Sequence, residues 1–321
     1  MSVDARVLAQ GAWSHLGRHG AVILVYAVVI ALGVVASVVN PNFLEPGNLV
    51  NILRQSIPLG LVAIGQTFVV LTGGIDFSVG PLAGLVAVSA ALLFEGDPAN
   101  APLAVAAGIG IGAASGLVIG VIVARLNAMP FIATFGMASL LSGVTLMVAS
   151  GPTGAVPFEF VRLYDVSVGT IPLSVIGMGG VWVLAWFVLK RLRYGRHVYG
   201  VGDSEESARR AGVRVGWIVT SAYMISGGLA ALAGLFLLAR SGVGAPTFGE
   251  GFDFLSVTAI TIGGISLYGG RGNIWGTLGG VLLLTMVSNV FNVTQVNVFY
   301  QRLLLGIIVL AAVALYKPRV N

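Results

Sequence analysis

Long apolar runs, separated by short breaks rich in polar residues, Pro and Gly, make up most of the chain. A membrane-spanning helix needs about 20 mostly apolar residues, and ten runs approach that length. The predicted spans are residues 21–39, 51–71, 77–94, 102–124, 130–149, 170–189, 216–239, 254–268, 274–293 and 299–316. Several breaks combine polar residues with Pro, which helix interiors disfavour. The pattern predicts an all-α, polytopic transmembrane bundle.

The composition indicates that lipid is the main solvent of this bundle. Hydrophobic residues make up 57% of the chain and charged residues only 9%, whereas a soluble domain carries about 25% charged residues. So few charges could not cover the surface of a soluble protein whose core helices these runs might otherwise be. Continuous runs of this length also differ from the weak alternation of transmembrane β-strands.

The basic residues predict the orientation of the chain. With ten spans, both termini lie on one side, and that side carries all of the 17 Lys and Arg except Arg54, Arg162, Arg240 and Arg302. Because cytoplasmic loops are enriched in Lys and Arg, both termini are predicted to be cytoplasmic. The net charge of +5 is therefore interpreted as a topology signal, and no nucleic-acid partner is expected.

The predicted organisation is one membrane domain with cytoplasmic ends. Residues 1–20 form a cytoplasmic segment, residues 21–316 the transmembrane domain with a cytoplasmic loop at 190–215, and residues 317–321 a cytoplasmic tail. The first apolar run is longer than the roughly 7–15 residues of a signal-peptide core. It is therefore expected to be a retained span.

The second and third spans are joined by GGIDFSVG, which contains the one acid outside clearly extramembrane loops, Asp76. This layout puts the motif in a cytoplasmic turn, where Gly73 and Gly74 end one helix and Asp76 caps the next, followed by Ser78 and Gly80. A helix dipole stabilises an acid there, whereas a charge at mid-bilayer costs at least about 2.5–3.5 kcal/mol. The alternative is an ion-coupling acid of a secondary transporter, although such relays usually involve several buried ionisable groups.

A second glycine-rich turn, GGISLYGGRG, separates the eighth and ninth spans. Its prominent residues are Gly263, Gly264, Gly269, Gly270 and Arg271. Both turns are cytoplasmic in this layout, whereas an inverted repeat would place its copies on opposite faces, so no repeat is inferred. In the fourth span, Gly112, Gly116 and Gly120 recur every four residues, which is typical of closely packed membrane helices.

The longest cytoplasmic loop contains a short helix with complete end signals, DSEESARRAG. Asp203 can cap it, and Glu206 completes a variant of the capping box. Acids occupy the first turn, Arg209 and Arg210 the last turn, and Gly212 the position after the C-cap. A helix of about two turns is not stable alone in water. It packs either on its own bundle or on a cytoplasmic partner, and the residues alone leave both possibilities open.

Taken together, these motifs resemble a known family. GGIDFSVG resembles the signature of permease subunits of bacterial ABC sugar importers of the ribose type, and YGVGDSEESARRAGV resembles their coupling loop. ESARRAG also resembles the E-A-A-x-x-x-G pattern of importer permeases, with Ser207 at the second position. GGISLYGGRGNIWGTLGG and FYQRLLLGIIVLAAV resemble the last two spans. One departure is Leu305, where the family tends to have a basic residue, while Arg302 lies a turn earlier.

The resemblance implies a multi-pass permease of the bacterial inner membrane, pairing with itself or with a paralogous permease and bound to two cytoplasmic ATPase subunits. A periplasmic or lipid-anchored binding protein would deliver a simple sugar such as a pentose. Nucleosides, branched-chain amino acids or another small polar solute are alternative cargoes. ATP and Mg²⁺ would lie on the ATPase, so this chain is expected to bind no cofactor. The implied coupling residues are Asp203, Glu205, Glu206, Ala208, Arg209, Arg210 and Gly212.

Catalytic and metal-binding motifs are absent from the sequence. The lysines, Lys190 and Lys317, follow Leu and Tyr, so the Gly-Lys pair of a P-loop is missing. There is no H-E-x-x-H motif, no Cys, and no grouping of the three His at ligand spacing. The chain is therefore predicted to be a transporter subunit rather than an enzyme.

The translocation path is expected to be lined by weakly polar side chains, because a sugar needs hydrogen bonds but must also leave. The candidates are Gln66, Thr67, Thr134, Ser139, Ser142, Thr145, Asn289 and Asn292. Each could equally make a hydrogen bond between helices. Phe131 and Phe135, at the cytoplasmic end of the fifth span, are expected to form a hydrophobic gate or to pack in the core.

Overall fold

The computed structural model describes residues 3–297, together with 299–301, 303, 304, 306, 307 and 310. Arg302, Leu305, the tail at 317–321 and much of the predicted last span lie outside the described residues. The helices are α1 (Val3–Val39), α2 (Pro46–Leu71), α3 (Val79–Phe94), α4 (Ala101–Arg125), α5 (Pro130–Val148), α6 (Phe158–Arg162), α7 (Leu173–Arg191), α8 (Arg193–Asp203), α9 (Glu205–Arg210), α10 (Val215–Ser241), α11 (Phe252–Ile262) and α12 (Ile274–Val293). Short 3-10 turns cover Pro41–Leu44 and Pro98–Asn100, and strands β1 (Ser167–Val168) and β2 (Ile171–Pro172) form an antiparallel pair.

The prediction of an all-α polytopic membrane protein is confirmed. Within the described residues, seven helices are long and apolar enough to cross a membrane, and α3 and α11 are two shorter apolar helices. These helices correspond to the first nine predicted spans, with the closest agreement at α12, which covers residues 274–293 as predicted. The total number of spans and the side on which the termini lie stay predictions.

Helix α10 lies at the centre of the bundle, packed against α2, α3 and α4. Glycines on α4 allow its close approach, as the sequence spacing predicted. A Cβ atom on Gly120 would lie 2.6 Å from the Cα atom of Thr220, and Gly112 and Gly116 likewise meet the α10 backbone. Small residues let membrane helices pack backbone to backbone, so this face fixes α4 against α10.

Two of the apolar helices, α3 and α11, are short, and each follows a non-helical segment that packs against neighbouring helices. Residues 72–78 connect α2 to α3, and residues 242–251 connect α10 to α11. The second segment runs back along α3. A Cβ atom on Gly84 would lie 2.6 Å from the carbonyl oxygen of Pro246, and one on Gly249 would lie 2.5 Å from the carbonyl oxygen of Gly80. The first turns of α3 and α11 therefore meet inside the protein.

These two segments form a structural pair that the sequence reading missed. Each consists of a long helix, an inward segment and a short helix, and on the predicted topology they run in opposite directions, as in an inverted repeat. Residues 72–78 and 242–251 therefore occupy comparable places in the chain, each between a long helix and a short one.

Candidate functional site

Asp76 lies inside the bundle rather than in a surface turn. Its side chain is 1% exposed. One carboxyl oxygen accepts hydrogen bonds from the N–H (3.0 Å) and hydroxyl (2.6 Å) of Ser78, and the other accepts from Ser226 (2.8 Å). Ser226 lies near the middle of the 27-residue α10. Phe77 packs on Phe131 and Phe254 and holds Asp76 buried in the connection between α2 and α3. That this turn is cytoplasmic stays a prediction.

The predicted capping role of Asp76 is also corrected. Helix α3 begins at Val79, and the residue in the N-cap position is Ser78. Asp76 lies two residues earlier and accepts the N–H of Ser78, so it closes the turn that leads into the helix. The role of Asp76 in ion coupling stays an untested alternative.

Three helices fix the backbone on either side of this carboxyl group. Gln66 of α2 bonds to the main chain of Asp76 when the nitrogen of its amide faces the Asp76 carbonyl. In that orientation it donates to the carbonyl (3.1 Å) and accepts from the Asp76 N–H (3.2 Å). Thr134 of α5 donates to the Ile75 carbonyl (3.2 Å), and Tyr223 of α10 also reaches that carbonyl (3.5 Å). Two of the path candidates, Gln66 and Thr134, thus hold the inward segment.

The other path candidates divide into two groups. Thr67 bonds to Thr277 across α2 and α12 (3.1 Å), and the amides of Asn289 and Asn48 pair. Ser139 donates to the Phe135 carbonyl in its own helix (3.1 Å), and Asn292 accepts from Gln301 (3.2 Å). Ser142 and Thr145 instead face a cavity. Whether any of them lines the path stays a prediction.

The proposed gate residues are neighbours on the exposed side of α5. The rings of Phe131 and Phe135 stack with centroids 6.0 Å apart. Phe131 also meets Phe77 edge-on at 5.3 Å, so the pair contacts the inward segment next to Asp76. Both rings are more than half exposed, and their gate role stays a prediction.

A cavity of about 280 Å³ lies where α3 and α11 begin. Its walls include Gly80 of α3, Ser142 and Thr145 of α5, Thr247 of the second inward segment and Asp253 of α11. The carboxyl oxygen Oδ1 of Asp253 is buried and accepts no hydrogen bond from any described residue. Sequence reasoning assigned Asp253 to an extramembrane loop. Its position one residue before a predicted apolar span is the signal that could have identified it.

The predicted coupling helix is present as α9, but Asp203 does not cap it. The N-cap residue is Ser204, whose hydroxyl oxygen accepts the N–H of Ser207 (3.2 Å). Asp203 is the last residue of α8, a helix that the sequence reading did not separate. Val198 and Val201 of α8 are buried against the bundle. Helix α8 continues through Asp203, and Ser204 is the first residue with an extended backbone.

The C-terminal end and the surface of α9 agree with the end signals in the sequence. Gly212 has a φ of +80°, and the N–H groups of Gly212 and Val213 bond to the carbonyls of Arg209 and Ala208, both at 3.0 Å, as in a Schellman motif. Two exposed ion pairs, Glu205–Arg209 at 2.6 Å and Glu206–Arg210 at 2.8 Å, cover the outer face. Ala208 is buried on the side of the bundle.

The two glycine-rich turns meet at the base of α9. A Cβ atom on Gly269 would lie 3.0 Å from both the Cα atom of Gly202 and the nitrogen of Gly73. The N–H of Gly270 donates to the carbonyl of Leu71, the last residue of α2 (3.1 Å). Further along the turn, Gly264 has a φ of +82°, Gly263 faces Gly276 of α12, and the Arg271 carbonyl accepts the N–H of Ser266. We call the contact of Gly73, Gly202 and Gly269 the glycine junction.

Together, these features define a multi-pass membrane protein with a cavity at the starts of two short helices and a short, charged surface helix, the arrangement of a transport permease. Within the described residues, no group of three or more His, Asp or Glu could hold a metal ion. The family model described as "Branched-chain amino acid transport system / permease component" matches residues 48–313. The chain belongs to this family.

Individual relatives refine this assignment. The chain is 39% identical over 290 residues to the ribose import permease protein RbsC of Escherichia coli (strain K12), covering 89% of this chain and 90% of that protein. It is 39% identical over 296 residues to RbsC of Bacillus subtilis (strain 168), covering 90% of each. It is 34% identical over 293 residues to the D-allose transport system permease protein AlsC of E. coli (strain K12), covering 90% and 89%. No solved structure matches. The resemblance to sugar importer permeases is confirmed.

Proposed function

We propose that this chain is the membrane-spanning permease subunit of an ATP-driven importer in the bacterial inner membrane, with α9 docked on a cytoplasmic ATPase. The observation that carries this proposal is the geometry of α9. Six residues cannot hold a helix alone in water, yet both ends of α9 are capped and Ala208 anchors it. Exposed ion pairs contribute little to stability. The charges on the outer face are therefore not needed to hold the helix and are available to bind a partner.

The glycine junction supports a route by which docking would act on the interior. Helix α8 leads into α9, and its Gly202 touches the turn that also bonds to Leu71 at the end of α2. The inward segment at 72–78 follows directly, and it holds Asp76 against α10. ATP and Mg²⁺ would lie on the ATPase, and a displacement of α9 would reach this segment through main-chain contacts.

The proposed cargo is a simple sugar delivered by a periplasmic or lipid-anchored binding protein. The names of the relatives, which include ribose and D-allose permeases, support this choice. The membrane unit would pair with a second permease, either an identical copy or a paralogue. The family description favours a second candidate, import of branched-chain amino acids.

The docking role can be tested by reversing one ion pair of α9. The double variant Glu206→Arg/Arg210→Glu keeps opposite charges four residues apart but inverts their order on the exposed face. We expect normal membrane insertion and loss of co-purification with the ATPase. The matched control is Glu159→Arg/Arg162→Glu on α6, another short helix with an acid in its first turn and a base in its last. Retention of the ATPase by the α9 variant would contradict the docking role.

The cargo can be tested in membrane vesicles that contain the permease, its ATPase and its binding protein. Labelled D-ribose, D-allose and D-fructose are compared with L-leucine in parallel assays, each with and without ATP. Uptake of a sugar that requires ATP and the ATPase supports the proposal, and uptake of leucine alone supports the second candidate. Uptake that persists without the ATPase and follows a proton gradient would contradict both, and would favour ion coupling through Asp76.

A further inference from the structure

We propose that four basic side chains, where α7 ends and α8 begins, bind the headgroup of an anionic phospholipid. These side chains, Lys190, Arg191, Arg193 and Arg196, are all exposed, and we call them the basic patch. The binding itself does not depend on the proposed function. The expected effect of the lipid on transport rests on that function.

The basic patch begins in the last turn of a membrane-length helix, which is the level expected for lipid headgroups. Helix α7 is long and apolar enough to cross a membrane, and Lys190 and Arg191 are its last two residues. A single extended residue, Leu192, separates α7 from α8. Clusters of four or more Lys and Arg directly beyond a membrane helix are typical of sites for anionic lipids.

The basic patch also continues an exposed apolar face of α7. Leu184, Phe187 and Arg191 follow one another at spacings of three and four residues, which places them on one side of the helix. Leu184 is 61% exposed and Phe187 is 46% exposed, so acyl chains would cover both in a bilayer. The Arg191 guanidinium lies over the ring of Trp186 (5.8 Å), a residue type enriched at membrane interfaces. A partner with both an acyl chain and a headgroup fits this surface.

The charges of the basic patch converge and lack acidic partners. Arg193 and Arg196 lie three residues apart on α8, on the side opposite its buried residues. The ammonium group of Lys190 lies 5.1 Å from the centre of the Tyr199 ring, one turn beyond Arg196. Among the residues that the structure describes, no acid forms an ion pair with the patch. Because guanidinium groups match phosphate oxygens in geometry and charge, a phosphate would complete this surface. Orientation of the chain in the membrane requires basic residues in this loop, but not their convergence beside an apolar face.

Helix α8 connects the basic patch to the interior of the protein. Its other face is anchored, since the Tyr194 hydroxyl bonds to Ser221 of α10 (2.8 Å) and the Tyr199 hydroxyl donates to the Gly272 carbonyl (3.1 Å). Its last turn contains Gly202 of the glycine junction, and α9 follows after one residue. A headgroup bound at the first turn of α8 would oppose displacement of this helix. Helix α9 would then meet its partner from a fixed position.

Binding can be measured with brominated lipids, which quench nearby tryptophan. The full chain is reconstituted in phosphatidylcholine vesicles, to which phosphatidylglycerol or phosphatidylcholine with brominated acyl chains is added. The signal of Trp186 is the difference between the unmodified chain and Trp186→Phe. Each basic residue near a membrane surface strengthens attraction of anionic lipid roughly fivefold, so phosphatidylglycerol should quench Trp186 at a several-fold lower mole fraction. Salt at about 1 M should weaken this preference, because it shortens the Debye length to about 3 Å.

The basic patch is tested with Arg193→Gln/Arg196→Gln, which removes two charges and keeps polar side chains. We expect normal membrane insertion and a preference for phosphatidylglycerol that is lower by roughly fivefold or more. The matched control is Arg125→Gln/Arg214→Gln, which removes two exposed charges at the end of α4 and the start of α10. The control should keep the preference. Equal preferences in the two double variants would overturn the inference.

The remaining outcomes separate the lipid from the ATPase and this inference from the proposed function. If Arg193→Gln/Arg196→Gln keeps the lipid preference but no longer co-purifies with the ATPase, the basic patch binds the ATPase and the inference fails. If that variant does not reach the membrane, equal quenching of Trp186 by both lipids in the unmodified chain still overturns it. With the whole transporter, uptake of D-ribose should be slower in vesicles without phosphatidylglycerol, and equal uptake would contradict the effect on α9. Absence of sugar uptake in either lipid would count against the proposed function alone.

Discussion

The bond between Asp76 and Ser226 joins residues 150 positions apart, and a double-mutant cycle can measure what it contributes. Asp76→Ala leaves the buried Ser78 N–H without an acceptor, at a cost of about 1–3 kcal/mol, and breaks two hydroxyl bonds worth about 0.5–1.5 kcal/mol each. We therefore expect Asp76→Ala to lower the free energy of unfolding by about 3 kcal/mol. Ser226→Ala leaves the buried second carboxyl oxygen of Asp76 without its donor and should by the same reasoning cost about 1–3 kcal/mol.

The cycle is measured by reversible unfolding of the full chain in mixed micelles, followed by tryptophan fluorescence. In the Asp76→Ala background, Ser226→Ala should have little further effect, which gives a coupling free energy of about 1–3 kcal/mol. Ser139→Ala serves as the control, since this exposed hydroxyl bonds only within its own helix. If the losses from Asp76→Ala and Ser226→Ala simply add, the carboxyl group does not tie the inward segment to α10.

Two further predictions concern the packing at Gly120 and the titration of the buried Tyr199. Gly120→Leu inserts a side chain where a Cβ atom on Gly120 would lie 2.6 Å from the Cα atom of Thr220, and this overpacking should cost at least about 1–3 kcal/mol. Gly110→Leu, with open space around it, should cost much less in the same unfolding assay. Burial raises the pKa of Tyr199 from 10.0 to about 12. The unfolded chain therefore loses this proton at lower pH than the folded chain, and the free energy of unfolding should fall by about 2–3 kcal/mol between pH 10 and 12; Tyr199→Phe should remove that share of the alkaline loss, and an unchanged pH profile would contradict the assignment.

The positions of the spans could be predicted because they depend on local composition. Helix α12 begins after Asn273, whose side chain accepts the N–H of Trp275 (3.1 Å), and it ends where polar residues return. The C-terminal signal at Gly212 is local in the same way, since a residue with a φ of +80° favours glycine. Hydropathy and end signals within a few residues were sufficient in both cases.

The interior course of the two non-helical segments could not be predicted, because it depends on partners far away in the chain. Asp76 is buried where it bonds to Ser226, and residues 242–251 pack along α3 because Gly84 and Gly249 leave room for backbone contact. Nothing local distinguishes such a segment from a surface loop. The choice of Ser204 over Asp203 as a cap has the same origin: both residue types cap well, and the burial of α8 decides between them.

The glycine junction has a consequence for swapping parts between related transporters. Its contacts are made by main-chain atoms, and a Cβ atom on Gly202 would lie 2.5 Å from the nitrogen of Gly270. Chimaeras that exchange only residues 204–213 leave these surfaces untouched, whereas an exchange boundary that introduces any larger residue at 202 or 269 would push the segments apart. Pairing the permease with the ATPase of another transporter would therefore require exchange of only a short segment, whose limits are set by the three glycines of the junction.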